Sequence, residues 1–424
     1  MLKYFLPEWR DRLDPGFDFV SDDFSEEYKR SPYEVGCYAH QLFDSPPYEG
    51  MLFSLYNLIS GNHNGFRASI FNQDGNPVLK GHQNIRDYLK FNKYPELEVM
   101  GDCGAFGYVN CLKPPDHFSV KNVAWLYDTF GFDLGVSVDH LVVDNIVQRN
   151  SKGIETRKVL TIGEKRQRIA LTKRNAKAFY NEWKERGYGF RPIGVAQGFD
   201  VKSYKGSVKC LIDMGYDYIA LGSLVNHDSE FIIEVLEAIE NLTKGIDLHL
   251  FGVLRPNDLG RFVDLGVTSF DSASFLRKAW LRSGQNYLGS NGKWYAAIRV
   301  PQSDNKALIK NADTNGYCEA DIKRMECDVL SLLRYYDQGN ATLNEVLESV
   351  TEYDSLLLRD TEDFKNIIKR YKTTLEDKPW KYCSCKMCRS IGIDVVIFRG
   401  TNRNKRRGFH NIYTFRARNK NLFY

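Results

Sequence analysis

RPIGVAQGFDVKSYKGSVKCLIDMGYDYIALGS, Arg191 to Ser223, sets a short apolar run, a helix-period stretch and a second apolar run in close succession. RPIGVAQG and YDYIALGS have the Val, Ile and aromatic content of buried strands, and SYKGSVKCLIDMG between them repeats its apolar residues at helical spacing. Strand, helix, strand in that order predicts parallel pairing through a right-handed crossover. The same rhythm extends from about residue 48 to about residue 300. EGMLFSLYNL, ELEVMGDCGAF and FDLGVSVDHLVV precede it; DLHLFGV, VTSFDSA and KWYAAIRV follow, with helical stretches such as DSEFIIEVLEAIENL and NDLGRFVDLG between. Eight strands in about 250 residues predict a closed (β/α)8 TIM barrel of the α/β class. The alternative is an open doubly wound sheet, but no G-x-G-x-x-G follows the first strand.

After the barrel the pattern changes. DIKRMECDVLSLLRYYDQG, TLNEVLESVTEYDSLLL and TEDFKNIIKRYKTTL have helical periodicity, with breaks expected at Asn340 and Asp360. Three cysteines then crowd into KPWKYCSCKMCRS, while the six others show no paired spacing. From Arg399 to Lys420 there are eight Lys or Arg and no Asp or Glu. Such a run is either a solvated face or a nucleic-acid patch.

A content of 43% hydrophobic and 26% charged residues is that of a globular protein and excludes a disordered chain. No apolar run is long enough for a membrane span, and MLKYFLPEWRDRLDPG has no apolar core followed by a small-residue cleavage site, so secretion is not expected. Nine cysteines, an odd number without a framework, fit a reducing compartment, so the expected location is the cytoplasm.

In a parallel barrel the chemistry sits at the C-terminal strand ends. Those ends carry Asp102 in MGDCGAFG, Asp139 in VSVDHLV, Gln197 in GVAQG, Gly222 and Ser223 in ALGS, and Asp271 in SFDSAS. Three carboxylates on one mouth point to acid/base and nucleophilic work or to a hard cation such as magnesium. Each could instead cap the helix that follows it. In GDCGAFG, glycines flank Phe106, whose ring could stack on a planar ligand.

In order, GDCGAFG, VSVDHLV, GVAQG, ALGS, LFGVLRPND, FDSAS, CSCKMC and HNIYTF resemble the motifs of the tRNA-guanine transglycosylases, which exchange guanine for a 7-deazaguanine base. The resemblance implies that Asp271 is the nucleophile attacking the sugar C1′ and that Asp102 is the general acid/base. It implies base binding by Phe106, Asp139, Gln197, Gly222 and Ser223. Two displacements through a covalent ester would preserve the anomeric configuration, with no nucleotide cofactor or redox centre. It also implies a structural Zn2+ on Cys383, Cys385, Cys388 and His410, a closed set of three sulfurs and one nitrogen. The domain expectation is an N-terminal segment (1–47), a catalytic barrel (48–318), and a helical insertion with a zinc-binding subdomain and basic tail (319–424).

Departures from the tRNA enzymes guide the expected substrate. Cys103 and Ala105 stand where that family has other small residues, Gly107 stands where bacterial members have glutamine, and the loop after Asp271 lacks their arginine-rich pattern. These features resemble the DNA-modifying DpdA branch, which implies insertion of 7-cyano-7-deazaguanine (preQ0) into DNA, with an ATP-using partner for access to the duplex. The alternatives are tRNA as substrate, a metal-dependent barrel hydrolase using Asp102, Asp139 and Asp271 as ligands, and a non-catalytic nucleic-acid-binding subunit. Contacts to the nucleic-acid backbone are expected from His140, Arg277, Lys278, Arg403, Lys405, Arg406 and Arg407.

Overall fold

The computed structural model describes residues 1–56, 82, 84–149, 155–281, 284–357 and 362–423. The strands up to Asp271 are β1 (Lys3–Pro7), β2 (Gly50–Ser54), β3 (Glu98–Asp102), β4 (Leu134–Val136), β5 (Asn145–Arg149), β6 (Glu155–Val159), β7 (Arg191–Ala196), β8 (Tyr218–Leu221), β9 (Asp247–Leu250) and β10 (Val267–Asp271). A closed barrel runs β1-β10-β9-β8-β7-β4-β3-β2, and its pairings are all parallel. β5 and β6 form a separate antiparallel hairpin after β4.

The barrel strands read as unbroken apolar runs because both faces are covered. YIAL in β8 is buried throughout. Phe5, Met100, Val136, Ile193, Val195 and Tyr218 pack into one core cluster. A fully buried aliphatic or aromatic side chain of this kind contributes roughly 1.5–3 kcal/mol.

Around the barrel lie α1 (Val120–Phe130), α2 (Ile162–Arg186), α3 (Val201–Met214), α4 (Ser229–Ile239) and α5 (Leu259–Asp264). Their starts are capped by local chemistry. Thr161 and Glu164 form a capping box at α2, Asp200 and Ser203 another at α3, and Asp228 accepts from the Phe231 N–H at α4. α2 and α3 end at Gly187 and Gly215, both left-handed.

The strand count is as expected, but the membership differs. The barrel is closed by β1, in the stretch expected as a separate N-terminal segment. Phe5 pairs with Asp271 on one side and with Gly50 on the other. KWYAAIRV supplies no barrel strand. Its Trp294–Tyr295 pairs with Tyr287–Leu288, and its Ile298–Arg299 pairs with Ile397–Phe398.

Two compact units result. The first is Met1–Trp9, Tyr48–Ala273 and Asn421–Tyr424; the second is Arg10–Pro47 and Ser274–Lys420. The second unit holds the three expected helices as α6 (Glu319–Gln338), α7 (Leu343–Ser355) and α8 (Glu362–Asp377), then α9 (Lys386–Ile391) and α10 (Thr401–Arg418). α6 stops at the left-handed Gly339, beside the expected break at Asn340. Asp360 lies outside the described residues, as do Asn57 and Leu58 of EGMLFSLYNL. Among the described residues, no helix is long and apolar enough to cross a membrane.

Candidate active site

β3 and β10 end on Asp102 and Asp271, while Asp139, Gln197 and Gly222–Ser223 follow β4, β7 and β8. Because the strands are parallel, all six residues fall at one end of the barrel. Asp200 and Asp228 serve as helix caps. The carboxylates of Asp139 and Asp271 are engaged instead by groups brought in from neighbouring strands and loops.

Asp139 is the hub of a buried hydrogen-bonded chain. Its Oδ1 accepts from the Cys103 thiol at 3.2 Å, and its Oδ2 from Gln197 Nε2 at 2.6 Å. Gln197 Oε1 accepts from the Ser223 hydroxyl at 2.6 Å, and Ser223 Oγ accepts from the Val142 N–H at 2.9 Å. These bonds hold Ser223 at φ +63°, a conformation disfavoured for a residue with a Cβ and concentrated at functional sites. A Cβ at Gly222 would stand 2.3 Å from Gln197 Nε2 and push that amide out of its bond to Asp139. Burial pushes the Asp139 carboxyl above its usual range, against the hydrogen bonds from Gln197 and Cys103. The result is a buried polar edge, braced by hydrogen bonds, whose carboxylate can accept from further donors.

Asp102 is tuned differently. Burial raises its pKa to about 7, the negative charges of Asp139 and Asp271 add to the rise, and the Gly104 N–H and Ser54 hydroxyl oppose it. The Gly104 N–H lies 3.0 Å from Asp102 Oδ2, in a turn that Gly104 makes at φ +85°. A carboxyl poised near neutral pH can both give and take a proton.

Asp271 Oδ1 accepts from the Gly252 N–H at 2.8 Å and lies 3.1 Å from His249 Nε2. Neither His249 nor Cys103 was singled out as a site residue from the sequence. The available signal was a histidine between two leucines in DLHLFGV and a cysteine directly after Asp102 in GDCGAF. Phe106, expected over the bound base, is 72% exposed on the turn after β3.

The expected basic contacts need correction. Arg403, Arg406 and Arg407 are buried. Arg403 pairs with Asp22 and Asp394 and donates to the Phe19 carbonyl. Arg406 donates to Asn402 Oδ1 and the Asp14 carbonyl, and Arg407 to the carbonyls of Ala279, Val395 and Ile397. Lys405 donates to the carbonyls of Arg10 and Arg12. These cations brace residues within the second unit, and a phosphate cannot reach the buried guanidiniums. Lys278 is half-buried over the Trp294 ring and bonds Gln285, whereas Arg277 is exposed. His140 is buried, with Nε2 on the Cys111 carbonyl, and burial with the nearby Arg168 charge lowers its pKa to about 4.

The sulfurs of Cys383, Cys385 and Cys388 stand 3.6, 3.3 and 3.3 Å from His410 Nδ1. All four ligand atoms lie within 4.8 Å of one another, and all four residues are buried. His410 Nε2 donates to the Leu288 carbonyl at 2.8 Å, which leaves Nδ1 as the ligand nitrogen. Asn411 fixes the same loop, accepting from Leu288 N and donating to the carbonyls of Phe275 and Asn286. These residues fit a closed four-coordinate metal site. Among the described residues, no comparable group forms from Asp102, Asp139 and Asp271, so the hydrolase alternative lacks its metal site.

A parallel barrel carries these carboxylates at its mouth and a Cys3His cluster follows it in the sequence, and two similarities to known proteins make the chain a glycosyl-transferring enzyme, a pentosyltransferase. A family profile described as queuine tRNA-ribosyltransferase matches residues 161–394. A DNA-guanine transglycosylase from Salmonella montevideo is 38% identical over 418 residues, covering 97% of this chain and 95% of that protein. The chain belongs to the queuine tRNA-ribosyltransferase (tRNA-guanine transglycosylase) family.

Proposed function

We propose that this enzyme exchanges guanine in DNA for preQ0. The observation that carries the choice of DNA is the near full-length similarity to a protein named for DNA-guanine exchange. The chemistry rests on the neighbouring Asp102 and Asp271. Asp271 Oδ2 attacks C1′ as the bond to guanine breaks, and the departing base takes the proton of Asp102. The incoming base then bonds C1′ and gives a proton to Asp102, while the ester electron pair returns to Asp271. Two inversions give net retention. Asp139 accepts from the N–H donors of a guanine-like edge, which excludes bases lacking them. Phe106 closes over the heterocycle when it is bound. On duplex DNA the target base must first be extruded, at a cost of a few kcal/mol, which is the step an ATP-using partner would assist. Arg277 remains a candidate for phosphate contact, and the resident metal is zinc.

Incubation with labelled preQ0 and duplex DNA, single-stranded DNA or tRNA tests the substrate. Label is expected in DNA, and label in tRNA alone overturns the choice.

The raised pKa of Asp102 gives a signed prediction. The folded state keeps this proton up to about pH 7, whereas an unfolded chain loses it near the ordinary aspartate value of 3.8. Between those values the folded state binds more protons, so stability falls as pH rises. Asp102→Asn is expected to be more stable than wild type at pH 8 by about 4 kcal/mol, with little difference at pH 4. Its exchange rate is expected to fall about 10²–10⁴-fold. Urea unfolding at the two pH values, alongside the exchange assay, measures both effects.

A further inference from the structure

His249 sits in β9, fully buried between the rings of Phe251 and Phe5, with centroids 4.7 and 6.0 Å away. Its Nε2 is 3.1 Å from Asp271 Oδ1, and its Nδ1 is 2.8 Å from Ser269 Oγ. Ser269 Oγ is in turn 2.6 Å from the Tyr218 hydroxyl. An ionised carboxylate only accepts, so with Asp271 ionised Nε2 carries a proton. In the neutral ring Nδ1 then accepts from Ser269, whose oxygen accepts from Tyr218. A single proton arrangement therefore satisfies the chain of four groups with the imidazole neutral.

Both donors to Asp271, His249 and the Gly252 N–H, converge on Oδ1. No hydrogen bond from a described residue reaches Oδ2. The two oxygens of the carboxylate are thereby made unequal.

We infer that His249 is a positioning residue for Asp271, an inference that rests on Asp271 being the nucleophile. His249 and the Gly252 N–H anchor Oδ1 and present Oδ2 to C1′. In the first displacement, Oδ2 forms the bond to C1′ and Oδ1 becomes the carbonyl oxygen of the ester. In the second, the C1′–Oδ2 pair returns to the carboxylate, and the negative charge spreading to Oδ1 meets two N–H donors already in place. That charge is greater in the transition state than in the ester, so the donors accelerate release of the sugar to the incoming base. Ser269 and Tyr218 keep the proton on Nε2 by occupying Nδ1.

The test compares His249→Leu, which removes the donor at similar volume, with His249→Gln, whose amide returns an N–H near the Nε2 position. Exchange of labelled preQ0 into DNA is read as kcat and as KM for the base. His249→Leu is expected to lose about 100-fold in kcat with KM changed less than about threefold, and His249→Gln to recover at least about tenfold of that loss. A His249→Leu enzyme with wild-type kcat overturns the inference. So does a loss carried mainly in KM, or one that His249→Gln does not relieve. If His249→Leu fails to fold, Ser269→Ala decides: a kcat about tenfold lower at unchanged KM supports the relay, and an unchanged kcat overturns it. Asp271→Asn is run in parallel. Activity retained there overturns the nucleophile itself, whereas an inactive Asp271→Asn beside a fully active His249→Leu overturns only the role of His249.

Discussion

Asp271→Asn is expected to abolish base exchange while leaving the fold intact. Asparagine fills the same space at the end of β10, and its carbonyl oxygen can still accept from the Gly252 N–H and from His249 Nε2, which lie 2.8 and 3.1 Å from Oδ1. What it lacks is an anionic oxygen to form the ester. Removing a nucleophile that acts as part of a unit costs about 10⁴-fold or more in kcat. Binding of the free base should survive, because the Asp139–Gln197–Ser223 chain proposed to read it does not pass through Asp271. Intact-mass spectra of wild type quenched with a DNA substrate should show a covalent adduct that Asp271→Asn does not form. Incorporation of labelled preQ0 by Asp271→Ala at the wild-type rate would sink the double-displacement scheme.

The barrel is legible in this sequence because its strands are buried on both faces, so their apolar runs stand out against helices with capping residues at their starts. Thr161, Asp200 and Asp228 mark those starts by local chemistry that the sequence displays directly. β1 escapes the same reading. KYFLP is only five residues long, and the helical rhythm that would flag it as a strand begins much later. KWYAAIRV misleads in the opposite direction, because a run of aromatic and β-branched residues suits a short pairing anywhere. The placement of Asp102 and Asp271 at strand ends is legible because position along a strand is a one-dimensional property. The fate of the C-terminal cations is not. Arg403 and Arg407 are among the largest fully buried side chains, and nothing local announces the carboxylate of Asp22 or the carbonyl of Ala279, each more than a hundred residues away in sequence. A run of positive charge records composition, and exposure depends on partners that only the fold supplies. His249 is hidden for the same reason. Within DLHLFGV it reads as one polar residue between two leucines, and its meaning comes from Asp271 on the adjacent strand.

Removing the metal is expected to unfold the cysteine-rich part of the second unit rather than merely loosen it. Three sulfurs and an imidazole nitrogen within 4.8 Å of one another leave no room for water, and they bring together groups that are costly to bury without a cation between them. Structural zinc contributes on the order of 10–16 kcal/mol in small zinc-dependent folds at neutral pH, as much as the roughly 5–15 kcal/mol net stability of most domains. The surrounding contacts cannot replace it. Tyr287 stacks on His410 at 4.0 Å, and Asn411 joins the carbonyls of Phe275 and Asn286 to the same helix. Both depend on His410 staying where the ligand set holds it. Cys385→Ser should therefore lower the melting temperature by more than about 10 °C, and so should prolonged chelation. Elemental analysis of the purified protein should find one zinc per chain, absent from Cys385→Ser. Added zinc should restore the chelated wild type, whereas magnesium should not, because three thiolates and an imidazole suit a soft or borderline ion. A chain that carries no metal, or that melts unchanged after chelation, would show that the thiols and His410 pack without an ion.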